Sequence, residues 1–144
     1  MRFDGLWERC EDRVVRPLLS AEILSEGGAW HSMAMLIDTG ADRTVLSADV
    51  WKALNMQPYE TGIQLGGVGG FADAVRVQTT LRLERSDGQL VTFRVEVAAC
   101  LDNALLDMSV LGRDIIEMFT LVADRKGGVL TLVGGNHSYS ILPT

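Results

Sequence analysis

The side chain best placed for chemistry is Asp38, in the run Leu36-Ile37-Asp38-Thr39-Gly40-Ala41-Asp42. A carboxylate set at the end of an apolar strand is costly to bury unless it is hydrogen-bonded or does work there. Taken alone, the tripeptide Asp38-Thr39-Gly40 reads equally as a strand-ending turn in which Asp38 bonds its own backbone or as a positioned acid–base group. Further along, Gly66-Gly67-Val68-Gly69-Gly70 could cradle a phosphate or form a plain hairpin loop. The cradle fits poorly. A dinucleotide fingerprint wants glycine where Ala72 stands and a helix after it, whereas a P-loop wants Lys-Ser or Lys-Thr. Asp42 and Arg113 are of opposite charge, and as an exposed ion pair they would contribute about 0–1 kcal/mol.

Other chemistries are short of residues. Cys10 and Cys100 lack metal-type spacing, and His31 and His137 stand apart from them, so no zinc site is expected. The two cysteines are expected as free thiols. Thirteen Lys and Arg against 19 Asp and Glu give a formal charge of −6, which repels phosphate backbones. Nucleic acid is therefore not an expected partner. No apolar run approaches the ~20 residues needed to span a bilayer, and no membrane association is expected. The start, Met1-Arg2-Phe3-Asp4-Gly5-Leu6-Trp7-Glu8-Arg9, is too charged for a secretory signal, so the predicted location is cytoplasmic.

The elements that must position these residues are mostly strands. Short-period apolar patterns mark Val14 to Leu24 and Ala29 to Ile37, with a turn at Gly27-Gly28 between them. Ser47 can cap a short helix through Leu54, with Asp49 in its first turn and Asn55 near its end. Strand character returns at Thr61 to Leu65, breaks over the glycine run and resumes at Phe71. Val75, Val77, Thr79, Leu81 and Leu83 alternate with polar neighbours, as do Val91, Phe93, Val95 and Val97 beyond the Asp87-Gly88 turn. Ile115, Ile116 and Phe119 have helical spacing within Gly112 to Phe119. A last hairpin turns at Gly127-Gly128 between Phe119 to Ala123 and Val129 to Val133. At 144 residues and 47% apolar composition this predicts one mainly β domain, a compact barrel or sandwich with one or two short helices.

Three blocks in order carry a resemblance to a known family. They are Leu36 to Leu46, around Asp-Thr-Gly; Leu65 to Phe71, the glycine-rich segment; and Ser109-Val110-Leu111-Gly112-Arg113-Asp114-Ile115-Ile116. With these the chain resembles the retropepsins, the single-lobe aspartic proteases of retroviruses and their cellular and bacterial relatives. The resemblance implies an acid-protease-like closed β-barrel or sandwich, homodimeric, with residues 1–144 as a single retropepsin-like domain.

It also implies an aspartic endopeptidase that uses neither cofactor nor metal. Two carboxylates a few ångströms apart share one proton, because like charges that close cannot both ionise comfortably. One activates a water while its protonated partner polarises the scissile carbonyl. One chain supplies one Asp-Thr-Gly, so the second Asp38 must come from another copy across a two-fold axis. By resemblance Asp38, Thr39 and Gly40 are the catalytic loop, Thr39 linking the two loops and Gly40 letting substrate approach. Gly66, Gly67 and Val68 belong to a flap over the site, and Val45, Leu65, Val68 and Val110 to apolar subsite walls that favour hydrophobic side chains. Ala41 and Asp42 complete the substrate-binding set. Asp42 and Arg113 form a partly buried pair beside the site and the dimer interface. Ala41 replaces a hydroxyl that some aspartic proteases point at the ionised dyad, so activity is expected at mildly acidic to near-neutral pH.

Departures from the viral pattern lie at the ends. About 35 residues precede the catalytic block, and residues 1–13 are read as an arm, a prosegment or part of the interface. Residues 134–144 extend as a tail, and Asn136-His137-Ser138 matches a glycosylation acceptor. The stretch Asp102 to Asp107 carries no assignment. A retropepsin fold kept as a non-catalytic dimerisation or peptide-binding module is the alternative to the enzyme.

Overall fold

The computed structural model describes residues 1–104 and 106–135. The predicted tail from residue 136 onward, with its glycosylation motif, lies outside the described residues. Eleven strands and two short helices follow one another along those residues: β1 (Arg2–Asp4), β2 (Leu6–Arg9), β3 (Val15–Leu24), β4 (Trp30–Ile37), β5 (Val45–Leu46), α1 (Ala48–Leu54), β6 (Glu60–Gly67), β7 (Gly70–Glu84), β8 (Leu90–Cys100), β9 (Val110–Leu111), α2 (Arg113–Ile116), β10 (Thr120–Asp124) and β11 (Val129–Val133).

The larger sheet runs β2-β3-β4-β9-β5-β8-β7-β6, and β7 also pairs with β3 at Glu22↔Arg82 and Ile23↔Leu81. That extra pairing joins β3, β4, β9, β5, β8 and β7 into a closed ring, the barrel that the sequence predicts. The alternation read in β7 and β8 becomes real packing, with Val75, Val77, Leu81, Leu83 and Val97 buried in the interior. Asp87-Gly88 turns that hairpin, Gly88 at φ +82°. Fully buried Ile23, Met35, Leu46, Leu54 and Leu111 complete the core from the other elements. The fold is mainly β, as expected.

A second sheet, β1-β11-β10, lies beside the barrel. Residues 2–9, within the segment read as a possible arm, are instead two strands of the fold. The reason is Phe3: its ring is fully buried and meets Phe119 and Phe93 edge-on at centroid distances of 5.5 and 6.2 Å. Arg2 to Asp4 pair antiparallel with Thr131 to Val133, and Leu6 to Arg9 with Val15 to Leu18.

Two local readings change. Ser47 occupies the N-cap of α1 with extended backbone, yet its hydroxyl makes no cap bond. Its own N–H donates to Ser109 Oγ at 3.0 Å, so tertiary contact takes the place of capping. The glycine run is not a break. β6 continues to Gly67 and β7 starts at Gly70, paired Gly66↔Phe71 and Gly67↔Gly70, which leaves Val68-Gly69 as a two-residue turn. Gly70, at φ +112°, supplies the backbone conformation that a side chain would resist.

Two stability measurements follow from this packing. Phe3→Ala is expected to cost about 3–5 kcal/mol in urea unfolding; a loss below 1 kcal/mol would return residues 1–13 to the status of an appended arm. On the barrel wall, Arg82 Nε donates to Glu22 Oε2 at 2.6 Å while its guanidinium lies 4.0 Å over the Trp30 ring. That hydrogen bond holds the Glu22 carboxyl below its ordinary value. A depressed folded-state value stabilises at neutral pH and is lost as pH falls through the carboxylate range. Thermal unfolding of wild type should therefore drop more steeply than that of Glu22→Gln as pH is lowered below about 5, and parallel curves would disprove the linkage.

Candidate active site

β4 ends at Ile37, and the chain leaves the barrel wall as a tight turn: Ala41 N–H donates to the Asp38 carbonyl at 3.2 Å. Gly40 N–H donates to Asp38 Oδ1 at 2.8 Å. The strand-ending turn is present, with the carboxylate bonded to its own turn, and Asp38 also lines a cleft. A Cβ on Gly40 would sit 3.1 Å from Asp38 Oδ1, so the close approach uses the missing side chain.

The cleft has a volume of about 510 Å³ between the Asp38 turn and the β6–β7 hairpin. It brings together most of the residues singled out from sequence: Asp38, Gly40, Ala41, Val45, Leu65, Gly66, Gly67, Val68 and Val110. Thr39 and Asp42 are exposed and lie outside its lining. The cleft also takes in Phe71, Ala72, Cys100 and Leu106, which sequence reasoning did not assign to the site. Cys100 lies with Ala98 on the face of β8 opposite Val91, Phe93, Val95 and Val97, and it becomes buried only where both faces of the strand are covered at its end, which alternation does not signal. Leu106 sits in the unassigned 102–107 stretch, where no periodicity marks a face. Burial pushes the Cys100 thiol up, so it serves as a small neutral wall.

The hairpin opposite Asp38 is lightly held at its tip, with Val68 fully exposed and Phe71 76% exposed. The floor is held tightly. Leu36 N–H donates to the Ser109 carbonyl at 2.9 Å and Asp38 N–H to the Leu111 carbonyl at 3.1 Å, fastening β4 to β9 in parallel. Thr44, fully buried, donates its N–H to both oxygens of Asp114 at 2.9 Å and its hydroxyl to Oδ1 at 2.8 Å. The same hydroxyl accepts Gly112 N–H at 3.1 Å. A Cβ at Gly112 would lie 2.3 Å from the Arg43 carbonyl carbon, so glycine is required there.

Arg113 and Asp42 meet in a hydrogen-bonded ion pair, as the resemblance implies. In the single chain the pair is exposed, with side chains 48% and 80% accessible, and not partly buried. Arg113 N–H also donates to the Ala41 carbonyl at 2.9 Å, so α2 is tied to the Asp38 loop by backbone as well. Among the described residues no cluster of three or more His, Cys, Asp or Glu could hold a metal ion.

The family model described as "gag-polyprotein putative aspartyl protease" matches residues 29–117, well over half of the chain and all three sequence blocks. The chain belongs to the retropepsin-like aspartic protease family. Its fold is similar to that of a retropepsin-like aspartic protease from Rickettsia conorii, at TM-score 0.59 and 16% identity over 92% of this chain and 88% of that one. It is also similar to EIAV protease complexed with the inhibitor HBY-793, at TM-score 0.50 and 24% identity over 71% and 86%. No protein of curated function matches the sequence. A protease function is supported at the level of the family.

The Thr44–Asp114 lock generates a testable contrast. Asp114→Ala strands two buried donors and should cost about 2–4 kcal/mol, whereas Asp114→Asn keeps an acceptor and should cost clearly less. Chemical denaturation reads both, and equal losses would show that charge and not hydrogen bonding holds the loop.

Proposed function

We propose that the protein is a homodimeric aspartic endopeptidase in which Asp38 of each copy faces the other across a two-fold axis. The observation that carries this reading is the Asp38 carboxylate, fixed by Gly40 N–H and directed into an apolar-walled cleft under a glycine-rich hairpin. A lone carboxylate cannot share a proton with a second, so the chemistry requires two chains. In the dimer one carboxylate takes the proton of a bound water as it attacks the scissile carbonyl. Its protonated partner donates to the carbonyl oxygen, giving a diol; the first carboxyl then passes the water's proton to the leaving amine while the partner takes its own proton back from the diol as the carbonyl reforms.

The remaining residues take supporting roles. Thr39, exposed in one chain, is free to bond its counterpart beneath the dyad. Gly40 and Ala41 lie against the substrate backbone. The β6–β7 hairpin acts as a flap, Gly66, Gly67 and Val68 closing on the peptide and excluding water. Val45, Leu65 and Val110 supply apolar subsites for side chains beside the cleaved bond. Asp42, held by Arg113, contributes a fixed charge at the cleft rim.

Incubation with a peptide library tests this directly. Cleavage should occur at bonds flanked by hydrophobic residues, and Asp38→Asn should lower it by about 10³-fold or more. Persistence of cleavage in that variant would refute the mechanism, and binding without cleavage in wild type would favour the non-catalytic module. With no hydroxyl at position 41, the rate should peak at mildly acidic to near-neutral pH; an optimum near pH 3 would contradict this. Because the Arg113–Asp42 pair is exposed, Arg113→Ala should change protomer stability by under about 1 kcal/mol yet weaken both dimerisation and activity. An unchanged monomer–dimer equilibrium in ultracentrifugation would remove Arg113 from the interface.

A further inference from the structure

Residues 101–108 run between two firm anchors. At one end Leu101 N–H donates to the Asp73 carbonyl at 3.2 Å, carrying the β7–β8 pairing one residue further. At the other, the Ser109 carbonyl accepts Leu36 N–H at 2.9 Å and its hydroxyl accepts Ser47 N–H at 3.0 Å. Between these anchors the segment brings Leu106 to the wall of the cleft that holds Asp38. Its other side faces a second cavity. A recess of about 630 Å³ lies there, bounded by Leu101, Asp102 and Asn103, by Lys52 of α1 and by β6–β7 side chains.

The segment is therefore a partition with open space on both faces. Leu101, Asp102 and Asn103 are exposed, so burial restrains that part weakly. The Asp102 carboxylate accepts Ala104 N–H at 2.9 Å, a turn internal to the segment that fastens it to nothing else. Among the described residues from 102 to 108, one side chain hydrogen-bonds to another element: Asn103 Nδ2 donates to Asp49 Oδ1 at 2.7 Å. Asp49 is a fixed point. It stands in the first turn of α1, where the helix end favours its charge. It also follows Val45, itself a cleft residue, by only four positions.

We infer that Asn103 is a positioning residue for substrate selection: its bond to Asp49 sets how far Leu106 projects into the cleft, and hence which apolar side chains fit beside the cleaved bond. The inference rests on the proposed reading of the cleft as a peptide site and names what fixes one of its walls. The recess gives the segment room to settle backwards, so loss of the bond widens the cleft at Leu106. An apolar pocket distinguishes side chains by about 10-fold per methylene, and a small retreat of Leu106 is enough to change the preference.

Two peptides that differ only in Phe or Val beside the scissile bond test this. In N103A and in D49A the ratio of kcat/KM for the Phe peptide over the Val peptide should rise by about 10-fold above wild type. The double variant should shift it no further than either single one, because both remove the same bond. D49N keeps an acceptor oxygen in place and should retain the wild-type ratio. L106A should raise the ratio with the bond untouched. Amide hydrogen exchange over residues 101–104 should quicken in N103A and D49A and match wild type in D49N. A merely structural role would lower cleavage of both peptides alike and leave the ratio unmoved. That result, a D49N ratio equal to that of D49A, a ratio that L106A leaves unchanged, or exchange that N103A does not alter would each overturn the inference. Should wild type cleave neither peptide, the endopeptidase reading falls, and the same ratio is read from dissociation constants by fluorescence anisotropy. A shift of about 10-fold there upholds the positioning role, whereas an unshifted ratio or no binding overturns it.

Discussion

One buried hydroxyl holds the site together. Thr44 Oγ1 donates to Asp114 and accepts from Gly112, while Thr44 N–H donates to the same carboxylate. This small knot joins the loop after β4 to the start of α2, two segments about 70 residues apart in the chain. Thr44 and the Gly112 N–H are shielded from water, so loss of their partners strands them, although the Asp114 carboxylate itself reaches solvent. Gly112 belongs to the knot for a steric reason, since any Cβ would collide with the Arg43 backbone. Ser47 and Ser109 repeat the device nearby, where Ser47 N–H donates to Ser109 Oγ. The consequence reaches Asp38: its turn begins and ends on segments that cannot move independently of β9 and α2.

Against this fixed floor stands a hairpin built for the opposite property. β6 and β7 leave the closed ring as a two-stranded ribbon, the Val68-Gly69 turn projects into solvent, and the glycines around it offer little side chain to pack. Ribbons of two strands are marginally stable by themselves, and segments with few buried contacts open at low free-energy cost. Rigidity under Asp38 and looseness above it are the division of labour expected of a site that must admit a chain and then exclude water.

Much of this was legible in the residues, and the exceptions share a cause. Long strands such as β3, β7 and β8 announce themselves by alternation, because one face of each is buried over many residues. β5 and β9 have two residues each, too few for any period, and exist only because each is sandwiched between strands distant in sequence. β1 was hidden for a related reason: three residues with charged ends look like an arm until the burial of Phe3 is known. Glycine misled between β6 and β7, where composition suggests a break but the ladder runs on to Gly67. Asp38 and Arg113 could be placed through the ordered family blocks, whereas the bond between Thr44 and Asp114 has no local signature, since nothing near either residue points to the other.

The division between what one chain completes and what it leaves unfinished is itself informative. The barrel closes within the chain through β3 and β7, and the strands of the small sheet find their partners in cis, β1 and β10 both on β11. With these pairings made in cis, the core of the described residues is buried within one chain. The site is different: it has one acid, one glycine-rich hairpin and an ion pair left open to solvent. On the proposed reading, then, stability is a property of the chain while catalysis is a property of the pair. Such a separation lets the second equilibrium be weak without endangering the first, and it makes activity rise with concentration in a molecule whose fold does not change.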